Sequence, residues 1–129
     1  MAVLDEWTRN LINRRNFPVV ATASPDGAPV SSVIWAGTEG GAVVFVTGRH
    51  GPKARNIERN PRVSLSLHDH ENPYKAAEIR GSAQVLDRDP QALLDELSHK
   101  YTGGPFTPED DEELAVVRVE PAKVIPFDG

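Results

Sequence analysis

Hydrophobic positions along the chain follow two rhythms. Leu4, Trp7, Leu11 and Ile12 recur at the spacing of one helical face, which predicts a helix from Leu4 to Arg15, ended by Pro18. The β-branched run Val19 to Ala23 reads as a buried strand. Ser24-Pro25-Asp26-Gly27 carries proline and glycine where a type I turn takes them, so Pro29 to Trp35 returns as the second strand of a hairpin. Gly37 to Gly41 reads as another turn, and Ala42 to Thr47 as a third strand. Pro52 suits a first helical turn, where its missing N–H costs nothing, and Lys53 to Arg59 follows as a short helix closed by Pro61. Val63 to Leu67 alternates apolar residues with Ser64 and Ser66, the period of a half-buried strand. Ala76 to Leu86 is a fifth strand, in which Gly81 marks a bulge or the close approach of another backbone. Asp89 is placed to cap a helix running to about Tyr101, with Leu93, Leu94 and Leu97 on its core face. Ala115 to Val119 and Lys123 to Pro126 finish the chain as one strand or two.

This pattern predicts a mainly β, α+β fold: about six antiparallel strands, mostly hairpin-linked, with helices outside. Closure into a small barrel would remove exposed strand edges. A length of 129 residues suits a single domain spanning 1–129, and no repeat or long linker divides it. The absence of cysteine excludes disulfides, thiolate metal sites and cysteine nucleophiles. No apolar run approaches the roughly 20 residues that span a bilayer. The N-terminus lacks the apolar core of a signal peptide, so a cytoplasmic chain with no membrane partner is expected.

Charge adds two local features. The net charge of -5 comes from one run, Glu109, Asp110, Asp111, Glu112 and Glu113, without which the chain is balanced. No global basic field exists for nucleic acid, so none is expected as a partner. The acidic run reads as one helical turn. It either covers a cleft or forms a solvated face, and since charge runs are usually solvated, solubility is the expected role. The opposite feature is a basic cluster of Arg49, Lys53, Arg55 and Arg59, where the strand ending in Thr47-Gly48 gives way to a helix. A helix N-terminus exposes free N–H groups and partial positive charge. Lysine adds a point charge and arginine a fork, which together suit a phosphate monoester. Asn56, one turn on, is positioned to reach the same anion. The competing reading is a solvated basic helix end. The GxxxxGK[ST] loop is absent.

Other candidates are sparser. Arg80, in mid-strand, faces a polar pocket or pairs with Glu78 or a neighbouring strand; Trp35 covers a planar ring or fills the core. His50, His68, His70 and His99 make no metal pattern, since neighbours on a strand point to opposite faces. No nucleophile elbow or paired carboxylates stand out, so no catalytic residue and no metal is assigned. An anion site without a protein catalyst points to chemistry supplied by a bound cofactor.

Three segments carry a family resemblance: FPVVATASPDGAPVSSVIW, VFVTGRHGPKARNIERNPRVSLSL and NPYKAAEIRGSAQV. In these pieces and their spacing, Phe17 to about Tyr101 resembles the pyridoxamine-phosphate-oxidase-like split-barrel flavoproteins, and more closely their branch using the deazaflavin coenzyme F-420. The resemblance implies a homodimer of split barrels with two cofactors in clefts at the subunit interface. It implies that Lys53, Arg55 and Asn56 bind the cofactor phosphate, with Thr47, Gly48, Arg49 and Ala54 in the same loop and helix start. It implies that Ser31, Ser32, Val33, Ile34 and Trp35 run beside the ring, that Arg80 and Gly81 lie on the following cofactor-facing strand, and that Tyr74 belongs to the cleft loop. His50-Gly51-Pro52 is bulkier and stiffer than the small polar residues usual there, which leaves the direction of Arg49 open. The implied activity is hydride transfer from reduced F-420 to an electron-poor conjugated small molecule, such as an enone, a quinone or a tetrapyrrole. The alternatives are an FMN-dependent oxidoreductase of the pyridoxamine-phosphate-oxidase type and a non-enzymatic cofactor- or haem-binding split barrel.

Overall fold

The computed structural model describes residues 4–107 and 111–128. In chain order the elements are α1 (Glu6–Asn13), β1 (Val19–Ala23), β2 (Pro29–Val33), β3 (Ala36–Glu39), β4 (Ala42–Gly48), α2 (Pro52–Arg59), β5 (Arg62–His68), β6 (Lys75–Leu86), α3 (Gln91–Thr102) and β7 (Leu114–Asp128). The mainly β, α+β expectation holds, with seven strands in place of about six. The added strand is β3, in a stretch read as a turn from Gly37 to Gly41; only Gly40 and Gly41 turn there. Ala36-Gly37-Thr38-Glu39 has little β-propensity of its own. It is held as a strand by antiparallel pairing with β4 and by burial of Ala36. The sheet also ends in one 15-residue strand, β7.

Local signals set most boundaries. The Asp5 carboxylate accepts the Thr8 N–H at 2.7 Å and caps α1, which stops at Asn13, short of the expected Arg15. Gly27 closes the first turn, its N–H donating to the Ser24 carbonyl at 2.8 Å. In β5, Val63, Leu65 and Leu67 are buried while Arg62, Ser66 and His68 are exposed, as period two requires. Leu93, Leu94 and Leu97 of α3 are buried, and the Asp89 carboxylate takes the Gln91 N–H just ahead of the helix. The expected helical turn in the acidic run is absent from residues 111–113, which are irregular; Glu109 and Asp110 lie outside the described residues.

The strand order is β2-β1-β5-β6-β7-β4-β3, every described pairing being antiparallel. Its two end strands, β2 and β3, are consecutive in sequence, separated by only Ile34 and Trp35. Two residues bridge no more than ~10 Å, so the sheet curls until its ends almost meet. The barrel is closed by the chain but left unpaired between β2 and β3. The interior is a cluster including Ile12, Val20, Phe45, Ile57, Leu65, Ile79 and Val117.

A seam of this kind leaves backbone groups without a ladder partner, and buried polar groups need one. Side chains of α3 supply it. The Tyr101 hydroxyl accepts the Ala36 N–H at 3.2 Å and donates to the Asn16 carbonyl at 2.5 Å. The Lys100 ammonium donates to the carbonyls of Ala36 at 2.6 Å and Ile12 at 2.7 Å, and lies 4.6 Å from the centre of the Tyr101 ring. Burial pushes its pKa down to about 8. The Ile34 N–H donates to the Pro18 carbonyl at 2.9 Å.

Gly81 fulfils both alternatives read from the sequence. The β6–β7 register shifts between Arg80 and Gly81, and a Cβ at Gly81 would lie 2.2 Å from the Glu120 carbonyl oxygen. The obstacle is backbone, so the longest strand pair in the sheet would have to separate. We expect Gly81→Ala to cost about 3 kcal/mol, the upper end of ordinary overpacking, measured as a lower denaturant midpoint.

Candidate functional site

β4 leaves the core at Thr47 and Gly48, turns through Arg49 to Gly51, and re-enters as α2 with Pro52 at its first turn. Gly51 offers no side chain to cap this helix, and its first turn holds no acidic residue. This uncapped helix start borders a cavity of about 300 Å³ lined by Thr22, Val30, Ser32, Thr47, Gly48, Gly51, Pro52, Lys53 and Glu112, and since Pro52 has no N–H, the unpaired donors of the first turn begin at Lys53. A second cavity, about 270 Å³, is lined by Val33, Ile34, Trp35, Val46, Lys53, Leu94, Leu97, Phe106 and Leu114. Lys53 lies on the wall of both. Apart from that one cation, the second lining is wholly apolar.

Lys53 is half-buried, and its pKa is lowered by burial alone. Among the described residues its ammonium has no hydrogen-bond or ion-pair partner. A desolvated cation without a counter-charge costs stability, and an arriving anion relieves that cost. Two further cavities beside α1 contain charge of both signs, but there Arg14 Nη1 stands 3.5 Å from Asp69 Oδ2, so the charges already compensate one another.

The other basic residues divide. Arg55 is exposed and without an ion-pair partner among the described residues. Arg49 is engaged by Glu58, at 2.9 Å and 3.4 Å, and lines neither cavity. Asn56, read as reaching toward the anion, is buried instead. Its Nδ2 donates to Thr22 Oγ1 at 3.1 Å, and its Oδ1 accepts from Arg59 at 2.7 Å, which fastens α2 to β1. Ala54 is fully buried beneath the helix. Ser32 lines the anion-side cavity, Val33, Ile34 and Trp35 line the apolar one, and Ser31 is exposed on β2. Trp35 is half-buried and stacks on Tyr101, ring centres 5.3 Å apart and planes 10° from parallel. Arg80 pairs with Glu78 at 3.0 Å, the simpler of its two readings, and it and Gly81 line neither cavity. Tyr74 is exposed in the loop before β6. Among the described residues no group of three or more metal-ligating side chains forms. No helix there is long and apolar enough to cross a membrane.

Sequence reasoning missed the α3 wall, Leu94 and Leu97, as part of a cavity, and it missed Phe106 and Glu112. Phe106 was the more legible, as an isolated aromatic between prolines in a glycine-containing loop. Glu112 sat inside a run read as solvated. The anion seat joined to an apolar slot fits a flat ring system carrying a phosphate. Lys53 and the α2 N-terminus would hold the phosphate, and the seam residues Val33 to Trp35 would flank the ring.

Known proteins share this fold. A solved structure described as an F420 reductase superposes with a TM-score of 0.82 and 29% identity, covering 95% of this chain and 98% of that one. A conserved hypothetical protein from Mycobacterium tuberculosis gives 0.78 and 26%, covering 98% of this chain and 86% of that one. A pyridoxine/pyridoxamine 5'-phosphate oxidase from Rubrobacter xylanophilus is 47% identical over 62 residues, which are 47% of this chain and span only 29% of that relative. The family model described as pyridoxamine 5'-phosphate oxidase matches residues 4–127, and the chain therefore belongs to the pyridoxamine 5'-phosphate oxidase family of split-barrel oxidoreductases.

Proposed function

We propose that this family member is a reductase that uses the deazaflavin coenzyme F-420 to deliver hydride to an electron-poor conjugated small molecule, such as an enone, a quinone or a tetrapyrrole. The observation that carries this reading is Lys53, a half-buried ammonium lacking a counter-charge at the junction of a polar seat and an apolar slot. The likeness to an F420 reductase over nearly the whole length of both chains supports the choice of coenzyme.

When bound, the deazaflavin supplies the hydride. The chain's own residues bind and orient. Lys53 and the uncapped N–H groups of α2 hold the phosphate. Arg55, exposed beside them, attracts the coenzyme's acidic tail. Val33, Ile34 and Trp35, with Leu94, Leu97 and Phe106, exclude water from the ring slot. Water, or a group on the substrate, supplies any proton, since among the described residues no acid lines that slot. Arg49 is assigned to the Glu58 contact and left out of the phosphate site.

FMN in place of F-420 is the second reading, favoured by the 47% identity to a pyridoxine/pyridoxamine 5'-phosphate oxidase. The two cofactors absorb at different wavelengths, so parallel titrations of the apoprotein separate them. Turnover of a panel of enones by reduced F-420 separates an enzyme from a carrier.

The homodimer belongs to the same proposal. β2 ends the sheet, and its Val30 and Val33 are 43% and 62% exposed. Apolar residues on an edge strand suit burial against a second copy. Sedimentation is expected to give twice the chain mass, and a monomer at micromolar concentration would remove the dimer.

Lys53→Ala is expected to weaken binding of the retained cofactor by about 1.5–3 kcal/mol, the scale of a charge-assisted contact, and an unchanged titration would count against the site. Affinity also depends on pH in a defined direction. Burial holds the Lys53 pKa below its ordinary value, and a bound phosphate raises it. Above the lowered value, binding has to take up a proton, so affinity falls as pH rises, starting below the range of an ordinary lysine. Lys53→Arg keeps its charge and is expected to flatten that fall.

A further inference from the structure

The chain has four lysines, Lys53, Lys75, Lys100 and Lys123, and each has a different setting. Lys123 is exposed on β7. Lys75 shares a cavity beside α1 with Arg14 and the Asp69 carboxylate. Lys100 is engaged, donating to the carbonyls of Ile12 and Ala36 and resting against the Tyr101 ring. Lys53 is half-buried, has no hydrogen-bond or ion-pair partner among the described residues, and stands where two cavities meet. On one side of it lies the slot of about 270 Å³, whose other lining residues, Trp35, Leu97 and Phe106 among them, are all apolar. A flat ring gains by leaving water for such a wall, and an ionic substituent would lose by it. Lys53 is therefore the one group among the slot's lining residues that can form a bond to an electrophile. Burial favours its neutral form, and the neutral amine is the nucleophile.

We propose that Lys53 captures carbonyl compounds: its side-chain nitrogen forms a reversible imine with a flat, uncharged conjugated aldehyde whose ring fills the apolar slot. The nitrogen lone pair adds to the carbonyl carbon and gives a carbinolamine. The carbinolamine hydroxyl then leaves with the remaining nitrogen hydrogen as one molecule of water, and a C=N bond replaces C=O. Nothing is oxidised or reduced, and water reverses the step. The slot contributes by holding the ring beside the amine, which makes the attack effectively intramolecular. This activity goes beyond the cofactor reading and competes with it. A nitrogen bound in an imine no longer offers three N–H donors to a phosphate, and the captured ring occupies the space the cofactor ring would take. A conjugated aldehyde thus excludes the cofactor covalently.

The test treats the purified protein with 2-naphthaldehyde or with glycolaldehyde, a small polar aldehyde, and traps any imine with cyanoborohydride. Peptide mapping by mass spectrometry then assigns each adduct and separates those on lysines from that on the α-amino group. With 2-naphthaldehyde, Lys53 is expected to be modified on the order of tenfold faster than Lys75, Lys100 or Lys123, a small part of what proximity can provide. Glycolaldehyde is expected to show no such preference. Lys53→Arg keeps the charge and is expected to abolish the preferred adduct. Saturation with whichever of FMN and F-420 the wild type retains is expected to suppress it. The proposal is overturned if 2-naphthaldehyde modifies Lys53 no faster than Lys123, if glycolaldehyde shows the same preference, or if the adduct forms equally fast in the cofactor-saturated protein. Retention of a cofactor with no preferred adduct removes carbonyl capture and leaves the functional reading standing. A preferred adduct at Lys53 with neither cofactor retained supports carbonyl capture and removes the functional reading.

Discussion

Everything in this molecule depends on how a curled sheet manages two edges that meet without pairing. Where β2 runs into β3 through Ile34 and Trp35, the ladder stops, and buried backbone groups must find other partners. Tyr101 and Lys100 provide them to Ala36, and Pro18 provides one to Ile34. The split is therefore held from outside by a helix. That arrangement keeps the seam residues in place without filling the space between the strands, which is what an apolar slot requires.

The proposed anion seat rests on a comparable imbalance. A helix start with no cap and a lysine with no counter-charge are each less stable than their satisfied counterparts. A site that binds an anion keeps such groups in readiness, and natural folds tolerate some local instability at functional positions. Asn56 and Arg49 show the complementary use of polar residues. The first locks α2 to Thr22 and the second locks it to the preceding loop through Glu58, so the helix that presents Lys53 is fixed by contacts of its own.

Much of this was legible in the residues. Pro52 before a run of helix formers located α2, the serine alternation oriented β5, and Gly81 announced the meeting of β6 with β7. The basic cluster lies at the loop that borders the cavity between β4 and α2. What stayed hidden depended on partners far away in sequence. β3 is a strand because β4 and α3 make it one, against the propensity of its own residues. Arg49 turned toward Glu58 although a strand-to-helix bend leaves several directions open. Glu112 looked like one charge among five, and only the β4–β7 register shows which of them reaches Gly48.

The stack of Trp35 on Tyr101 has an optical consequence. The chain has two tryptophans, and they occupy different surroundings: Trp35 on the wall of the slot, Trp7 on α1 against the barrel interior. Indole emission is sensitive to nearby rings and to water. A ligand entering the slot would alter the surroundings of Trp35 and leave those of Trp7 unchanged, so indole fluorescence offers a label-free test of the proposed binding.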